Sequence, residues 1–403
     1  MAIEEEKTMK ISNRVQKIQF SAIRKLTPYA QEAKKNGKKV YHLNIGAPDV
    51  EVPQAFFDAI GDFQGKVLKY PSAPGIDELR ESWSNYYKKR NLNFEPENIF
   101  ITSGASEALL LVLMTIADEG DEIITTNPFY SNYKTYMDQL NLKINAFNTS
   151  PDNGFALPST EEIEKVISDK SVAFLISNPT NPTGAVYSRE ELERLKELAI
   201  KHDMYIITDE VYREFIYDGL KYLSFAELEG IDDRLILLDS ISKRFGACGA
   251  RIGAIAAKNK DILTSINKLA TGRLAVPTLE QIGAAALFNS DESYFEEVNK
   301  EYEKRRNTIY EELKKIDGVS VYKPKGAFYI MPTLPVDDAE DFAKWLLTDF
   351  DVDGETLMMA PADGFFYNSN EGKNKVRLAF VLNVNDIKKA MNILKEGLRK
   401  YNS

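Results

Sequence analysis

A lysine stands inside Ser240-Ile-Ser-Lys-Arg-Phe-Gly-Ala-Cys-Gly-Ala-Arg251, between two apolar runs, 234–238 and 252–257, that read as buried strands. An ammonium trapped between such strands is costly unless something uses it. Desolvation or a cationic neighbour lowers a lysine's pKa and makes its amine a nucleophile towards carbonyls. Ser240, Ser242 and Arg251, in the same stretch, are what a phosphate monoester wants around it. Two readings stay open for the segment alone: a loop whose Lys243 points into water, or a lysine that does covalent work. Cys248 reads as packing rather than as a nucleophile. Ser240-x-x-Lys243 also matches the S-x-x-K of penicillin-binding hydrolases, but the K-T-G element those enzymes need is absent and the serine follows a strand.

Other residues that could do chemistry also stand where apolar runs end. Thr102-Ser-Gly-Ala-Ser106 joins a strand to a helix, where backbone N–H groups and the helix's positive end suit a phosphate. It is either that or a plain N-cap, and it lacks the spacing of a nucleoside triphosphate loop. Tyr130, after Asn127-Pro-Phe, is placed to lie against an aromatic ligand or to fill core. Asn181, within Ser177-Asn-Pro-Thr-Asn-Pro-Thr-Gly184, either donates its amide to a ligand oxygen or only fixes the turn. Asp209 ends the apolar run 205–208, and an acid there wants a cation, such as a protonated pyridine nitrogen, unless it caps the next segment.

The elements that must hold these residues alternate. Strands are predicted at 98–101, 122–125, 172–176, 205–208 and 234–238, with helices between them. One helix opens on the capping box Ser188/Glu191 and carries Leu192, Leu195 and Ala199 on one face. Alternation means crossovers and a mostly parallel sheet covered on both faces, an α/β fold of three layers, α/β/α. Ligands of such sheets bind at the strands' carboxyl ends, and that is where Ser, Tyr, Asn, Asp and Lys are delivered. Outside the alternation lie a patchy helical stretch at 15–35, a short strand at 40–45 and a helix at 76–89. Beyond 283 come a charged helix at 292–316, apolar runs at 319–322 and 327–331, a helix near 340–347, a strand at 376–380 and a last amphipathic helix. This predicts a large domain over 47–285 and a smaller α+β domain from 1–46 and 286–403.

Composition narrows the functions. The 403 residues, 43% hydrophobic and 28% charged, suit a soluble globular chain with a sizeable core. A net charge of −10 argues against general nucleic-acid or anionic-membrane binding. The acidic opening lacks an apolar core, so no secretory signal is expected, and no apolar run is long enough for a bilayer. A single cysteine excludes an internal disulfide and fits a reducing cytoplasm, while two histidines leave little for a metal site or a His-based triad. No metal is expected. Acid–base work falls to Lys, Asp, Glu, Tyr or a cofactor.

Taken in order and spacing, Ser177-Asn-Pro-Thr-Asn-Pro-Thr-Gly184, Asp209-Glu-Val-Tyr212 and Ser240-x-Ser-Lys243 through Arg251 resemble the fold-type-I pyridoxal phosphate enzymes. Within them the resemblance, spanning about 46–380, is to the class I/II aminotransferases, of the aspartate aminotransferase kind. It implies that Lys243 bonds the aldehyde of pyridoxal 5′-phosphate and later moves the substrate's Cα proton. It implies that Asp209 holds the pyridine nitrogen protonated, that Tyr212 and Asn181 bond the phenolic oxygen, and that Tyr130 stacks on the ring. The backbone of Ala105 and Ser106, with Ser240, Ser242 and Arg251, would hold the phosphate. Tyr70 would reach in from a partner subunit and join Lys243 and Asp209 in catalysis. Arg377 would clamp the substrate α-carboxylate, with Asn181 and a backbone contact from Gly46. Tyr133 stands where some relatives carry a histidine behind the aspartate. Arg273 lies near a segment that other relatives use to grip a distal carboxylate from the neighbouring subunit.

The resemblance implies a cytoplasmic, homodimeric aminotransferase taking L-amino acids, aspartate or glutamate slightly favoured, with 2-oxoglutarate as acceptor. Alternatives are an aromatic or broad-specificity aminotransferase, a β-lyase, cyclase or decarboxylase using the same cofactor, or a non-catalytic ligand sensor.

Overall fold

A computed structural model describes residues 11–403. Residues 1–10, which carry the acidic opening and begin the predicted small domain, lie outside the described residues. Seven strands form the main sheet: β1 (Ile99–Thr102), β2 (Glu122–Asn127), β3 (Lys143–Asn148), β4 (Ser171–Ser177), β5 (Tyr205–Asp209), β6 (Leu235–Ser240) and β7 (Gly253–Ala256). Their spatial order is β1-β7-β6-β5-β4-β2-β3. Only β7 runs against its neighbours, and because β1 is antiparallel to β7, β1 points the same way as the rest. The predicted mostly parallel sheet is therefore present, and the carboxyl ends of six strands share one edge.

Alternation along each strand sends successive side chains to opposite faces. Ile123, Ala173, Leu175, Ile207, Ile236 and Leu238 pack on one face, against Leu109, Val112 and Leu113 of helix α1 (Gly104–Ile116). Ile124, Phe174, Ile176, Ile206 and Leu235 pack on the other, against Leu192, Leu195 and Leu198 of helix α2 (Arg189–Lys201). The capping box at the start of α2 is formed, Ser188 accepting from Glu191 N and Glu191 accepting from Ser188 N. Two covered faces and one sheet give three layers, as an alternating sequence requires.

The remaining chain builds two smaller sheets. Lys39–His42 pairs in parallel with Glu355–Met358, and Val376–Ala379 lies between Ala360–Pro361 and Tyr329–Ile330, antiparallel to both. Helices α3 (Glu292–Leu313) and α4 (Val384–Tyr401) pack against this part through Tyr302, Ile309, Leu313, Ile387, Met391 and Leu394.

Some predicted elements change. The helical stretch at 15–35 is two helices, Asn13–Lys17 and Thr27–Lys35, because Pro28 is tolerated only in a helix's first turn. Between them the chain turns back at 21–26, with Arg24 N and Lys25 N both donating to Ser21 O at 2.9 Å. The run at 319–322 makes only an isolated bridge, Ser320 to Thr333. Strand β3 escaped the sequence reading.

Candidate active site

The cavity at the strands' carboxyl edge holds ≈ 210 Å³ and is walled by both parts of the chain. From the main sheet come Ala105 and Ser106 after β1, Tyr130 after β2, Asn181 after β4, Asp209 at the end of β5, Tyr212, and Ser240, Ser242, Lys243 and Arg251 around the loop after β6. Gly46, Tyr329 and Arg377 close it from the other side, and Ser21, Ile23 and Arg24 lie across it.

Lys243 lies within a single helical turn, Ile241–Arg244, capped by Ser240, whose Oγ accepts from Ser242 N at 3.0 Å. Beneath this turn Asp239 and Arg244 form a fully buried ion pair, and Tyr87 Oη donates to Asp239 Oδ2 at 3.0 Å. The pair anchors the chain on both sides of the lysine. The Lys243 amine donates to Gly46 O at 2.9 Å, so it faces the cavity rather than open water. Cys248 donates to Ser242 O at 3.0 Å and serves the loop's shape.

Asp209 is buried, accepting from Tyr133 Oη at 2.9 Å and from Val211 N at 3.4 Å. Desolvation pushes its carboxyl up to about 6, outweighing the hydrogen bonds from Tyr133 and Val211 and the Lys243 charge, which pull it down. A carboxylate so placed favours any cationic N–H brought beside it. Tyr212 Oη lies 2.8 Å from Tyr329 Oη, and burial raises the Tyr212 phenol well above its ordinary value. Arg377 is fully buried on its strand, donating to Asn181 Oδ1 at 3.1 Å and to Asn44 O at 2.6 Å, with Tyr329 stacked 4.3 Å from the guanidinium. Its Nε has no partner among the described residues.

Glycines shape the phosphate end. Gly104 opens α1 at a φ of +73°, and a Cβ there would sit 2.5 Å from Arg251 Nη2. A Cβ on Gly253 would sit 2.4 Å from the Gly104 carbonyl carbon and 2.6 Å from Ala105 N. Two backbones thus press together and leave the N-terminus of α1 open beside Arg251 and the serine pair, with Ser240 Oγ and Ser242 Oγ 2.7 Å apart. Among the described residues Arg251 spends its guanidinium only on the Cys248 and Ser103 carbonyls, at 3.2 and 3.5 Å. A helix N-terminus, two hydroxyls and a guanidinium suit a phosphate ester. With an amine for an aldehyde and a buried acid for a ring N–H, the donor set fits pyridoxal 5′-phosphate.

Two residues named from the sequence lie elsewhere. Tyr70 is 81% exposed, on a surface patch with Leu68 and Pro71. Arg273 donates from Nε to Glu107 Oε1 at 2.8 Å and from Nη2 to Ile101 O at 2.9 Å, outside the cavity lining. The sequence reading missed Tyr329, Asn44 and the turn at 21–26. Tyr329 sits in an apolar run and reads as core; its signal is Gly46, whose Cβ would meet the Tyr329 hydroxyl.

The chain matches the family model for aminotransferases of class I and II over residues 38–354. It is 31% identical to the aspartate aminotransferase of Bacillus subtilis (strain 168), over 98% of this chain and 100% of that one. It is 30% identical to aromatic-amino-acid aminotransferase 2 of Thermococcus litoralis, over 97% of this chain and 99% of that protein. Its backbone is similar to that of an alanine aminotransferase from Pyrococcus furiosus, with a TM-score of 0.89 and 28% identity over 97% of this chain and 100% of the other.

Proposed function

The chain belongs to the class I and II aminotransferases, and from that premise we propose that it moves the amino group of an L-amino acid, aspartate or glutamate ahead of others, to a 2-oxo acid such as 2-oxoglutarate. Members of this family use pyridoxal 5′-phosphate, which when bound supplies an aldehyde for the substrate amine and a ring that draws off the electrons left at Cα. One observation carries the reading: the Lys243 amine shares a small cavity with buried Asp209 and buried Arg377, each held by the protein.

In this reading Arg377 binds the substrate's α-carboxylate bidentately, its planar fork fixed by Asn44 and Tyr329. Asn181, already bonded to Arg377, shares that carboxylate and the ring's phenolic oxygen with Tyr212. Lys243 would hold the cofactor's aldehyde and, with its amine free, would carry the proton lost from the substrate's Cα. Asp209, its carboxylate oriented by Tyr133, would hold the proton on the ring nitrogen. Tyr130, which lines the cavity, would pack against the ring. Ala105, Ser106, Ser240, Ser242 and Arg251 fix the phosphate end, so the reacting atoms meet in one geometry. Residues 47–285 would act as one unit and 1–46 with 286–403 as another, with the cavity between them.

A homodimer belongs to the same proposal. Val67, Leu68, Tyr70 and Leu274 are large apolar or aromatic side chains left more than half exposed. A second copy covering them would bury that area and bring Tyr70 towards the partner's site. Among the described residues no helix is long and apolar enough to cross a membrane, and a cytoplasmic location fits the single cysteine.

The test is turnover with and without a second oxo acid. An aminotransferase gives steady product from an amino acid only when 2-oxoglutarate or another acceptor is supplied. Continuous ammonia, pyruvate or carbon dioxide release without an acceptor would instead establish a lyase or decarboxylase.

A further inference from the structure

Among the described residues four cations line the cavity: Arg24, Lys243, Arg251 and Arg377. Resting on the function proposed above, three are committed, to the aldehyde, the phosphate and the α-carboxylate. Arg24 is the remaining one. Its side chain is exposed and makes no hydrogen bond or ion pair among the described residues. Lys25, beside it in the chain, is by contrast engaged: its Nζ lies 3.0 Å from Asp363 Oδ2 and also pairs with Glu340.

The turn that carries Arg24 is fixed on three sides. Lys25 ties it to Asp363 and Glu340. Asn44 Nδ2 donates to Ile23 O at 2.8 Å. Ala22 is buried against Met331, Ala360, Ala362 and Phe365, and Gly364 gives it room, since a Cβ there would meet the Ala22 Cβ at 2.8 Å. Asn44 is also the residue whose carbonyl takes Arg377 Nη2 at 2.6 Å. One buried residue therefore sets the spacing between the Arg377 guanidinium and the backbone that presents Arg24.

We infer that Arg24 is a specificity-determining residue that pairs with the distal carboxylate of a dicarboxylic substrate held at its other end by Arg377. A guanidinium matches a carboxylate in two parallel hydrogen bonds, and within a cleft the pair is less screened than on an open surface. Leu109, Tyr133 and Tyr136 add apolar and aromatic surface to the same cavity lining. It tolerates an uncharged side chain, so Arg24 sets the preference for acids over a site that admits other donors.

Succinate and propionate, a diacid and its monoacid counterpart, are titrated calorimetrically into the cofactor-loaded enzyme. The unaltered enzyme binds succinate at least about tenfold more tightly, and Arg24→Ala removes most of that preference while Arg24→Lys keeps part of it. In parallel, the ratio of kcat/KM for glutamate to that for phenylalanine falls about tenfold in Arg24→Ala, chiefly through the KM for glutamate. Equal binding of the two acids by the unaltered enzyme, or an unchanged ratio in Arg24→Ala, overturns the role of Arg24. Equal losses on glutamate and phenylalanine overturn it too, since they mark a residue that merely shapes the turn. If the enzyme transfers no amino group from any donor, the proposed function fails, and the succinate titration, which needs no turnover, still decides Arg24.

Discussion

Asp209 shows how one buried acid constrains the whole site. Its carboxyl is pushed up to about 6 by burial, against 3.8 for the exposed group, so the cofactor-free fold binds a proton more tightly than the unfolded chain does between those values. Stability contributed by this group is therefore full at low pH and lost as pH rises through about 6. We predict that the cofactor-free protein, compared with its Asp209→Asn variant, loses about 2 kcal/mol of relative stability between pH 4 and pH 7. Denaturant melts of both proteins at a series of pH values measure it, and parallel stability curves would refute it. Several site residues were legible because their types are unusual at apolar strand ends: Lys243, Asp209 and Asn181 all reach the cavity. Tyr329 was not, because an aromatic inside Ala327-Phe-Tyr-Ile330 carries the same pattern whether its hydroxyl is used or not. Arg24 was hidden for the opposite reason, since an arginine in a polar stretch reads as solvated.

The strands and helices were read well where burial is two-sided. β2, β4, β5 and β6 are apolar runs ending in polar residues, and all four lie in the interior of the sheet. β3 was missed because it is an edge strand, Lys143-Ile-Asn-Ala-Phe-Asn148, with half its residues polar. The antiparallel sense of β7 was equally invisible: the loop from Ile241 to Ile252 contains a four-residue helix and a 3-10 turn instead of a full crossover helix. That return is what presses Gly253 onto Gly104. Gly253→Ala should cost about 1–3 kcal/mol, because its neighbours are backbone atoms that cannot yield, and should weaken cofactor binding with it. Ser188→Ala, which removes the cap of α2 far from the cavity, should cost about 1 kcal/mol and leave cofactor affinity alone. Chemical denaturation alongside cofactor titration separates the two, and equal effects on cofactor affinity would contradict this assignment of Gly253.

For the molecule as a whole, the cavity lies where the main sheet's carboxyl edge meets the smaller sheets, so neither part alone can form it. The composition marked a soluble chain with a large core, and the change of pattern beyond 283 marked a second kind of architecture. What it did not show is that residues from 21 to 46 cross back to roof the cavity, because such contacts span more than three hundred positions, as between Asn44 and Arg377. The exposed patch of Val67, Leu68, Tyr70 and Leu274 predicts a stable dimer. Sedimentation at micromolar concentration should give twice the chain mass, and Leu68→Asp should shift the protein towards monomer with a parallel loss of turnover. A fully active monomer would refute any contribution from the partner's Tyr70.

In the proposed reaction the Lys243 amine, working with pyridoxal 5′-phosphate, moves an amino group. It is tested most directly in a single half-reaction: cofactor-loaded enzyme is mixed with excess L-glutamate and no acceptor, while the visible absorption of the bound cofactor and the 2-oxoglutarate formed are followed together. The expected result is loss of the visible band with one 2-oxoglutarate per cofactor-loaded site and no further product, and neither change in Lys243→Ala. Bleaching and product formation that persist without the lysine, or no response to any amino acid in the unaltered enzyme, would contradict it.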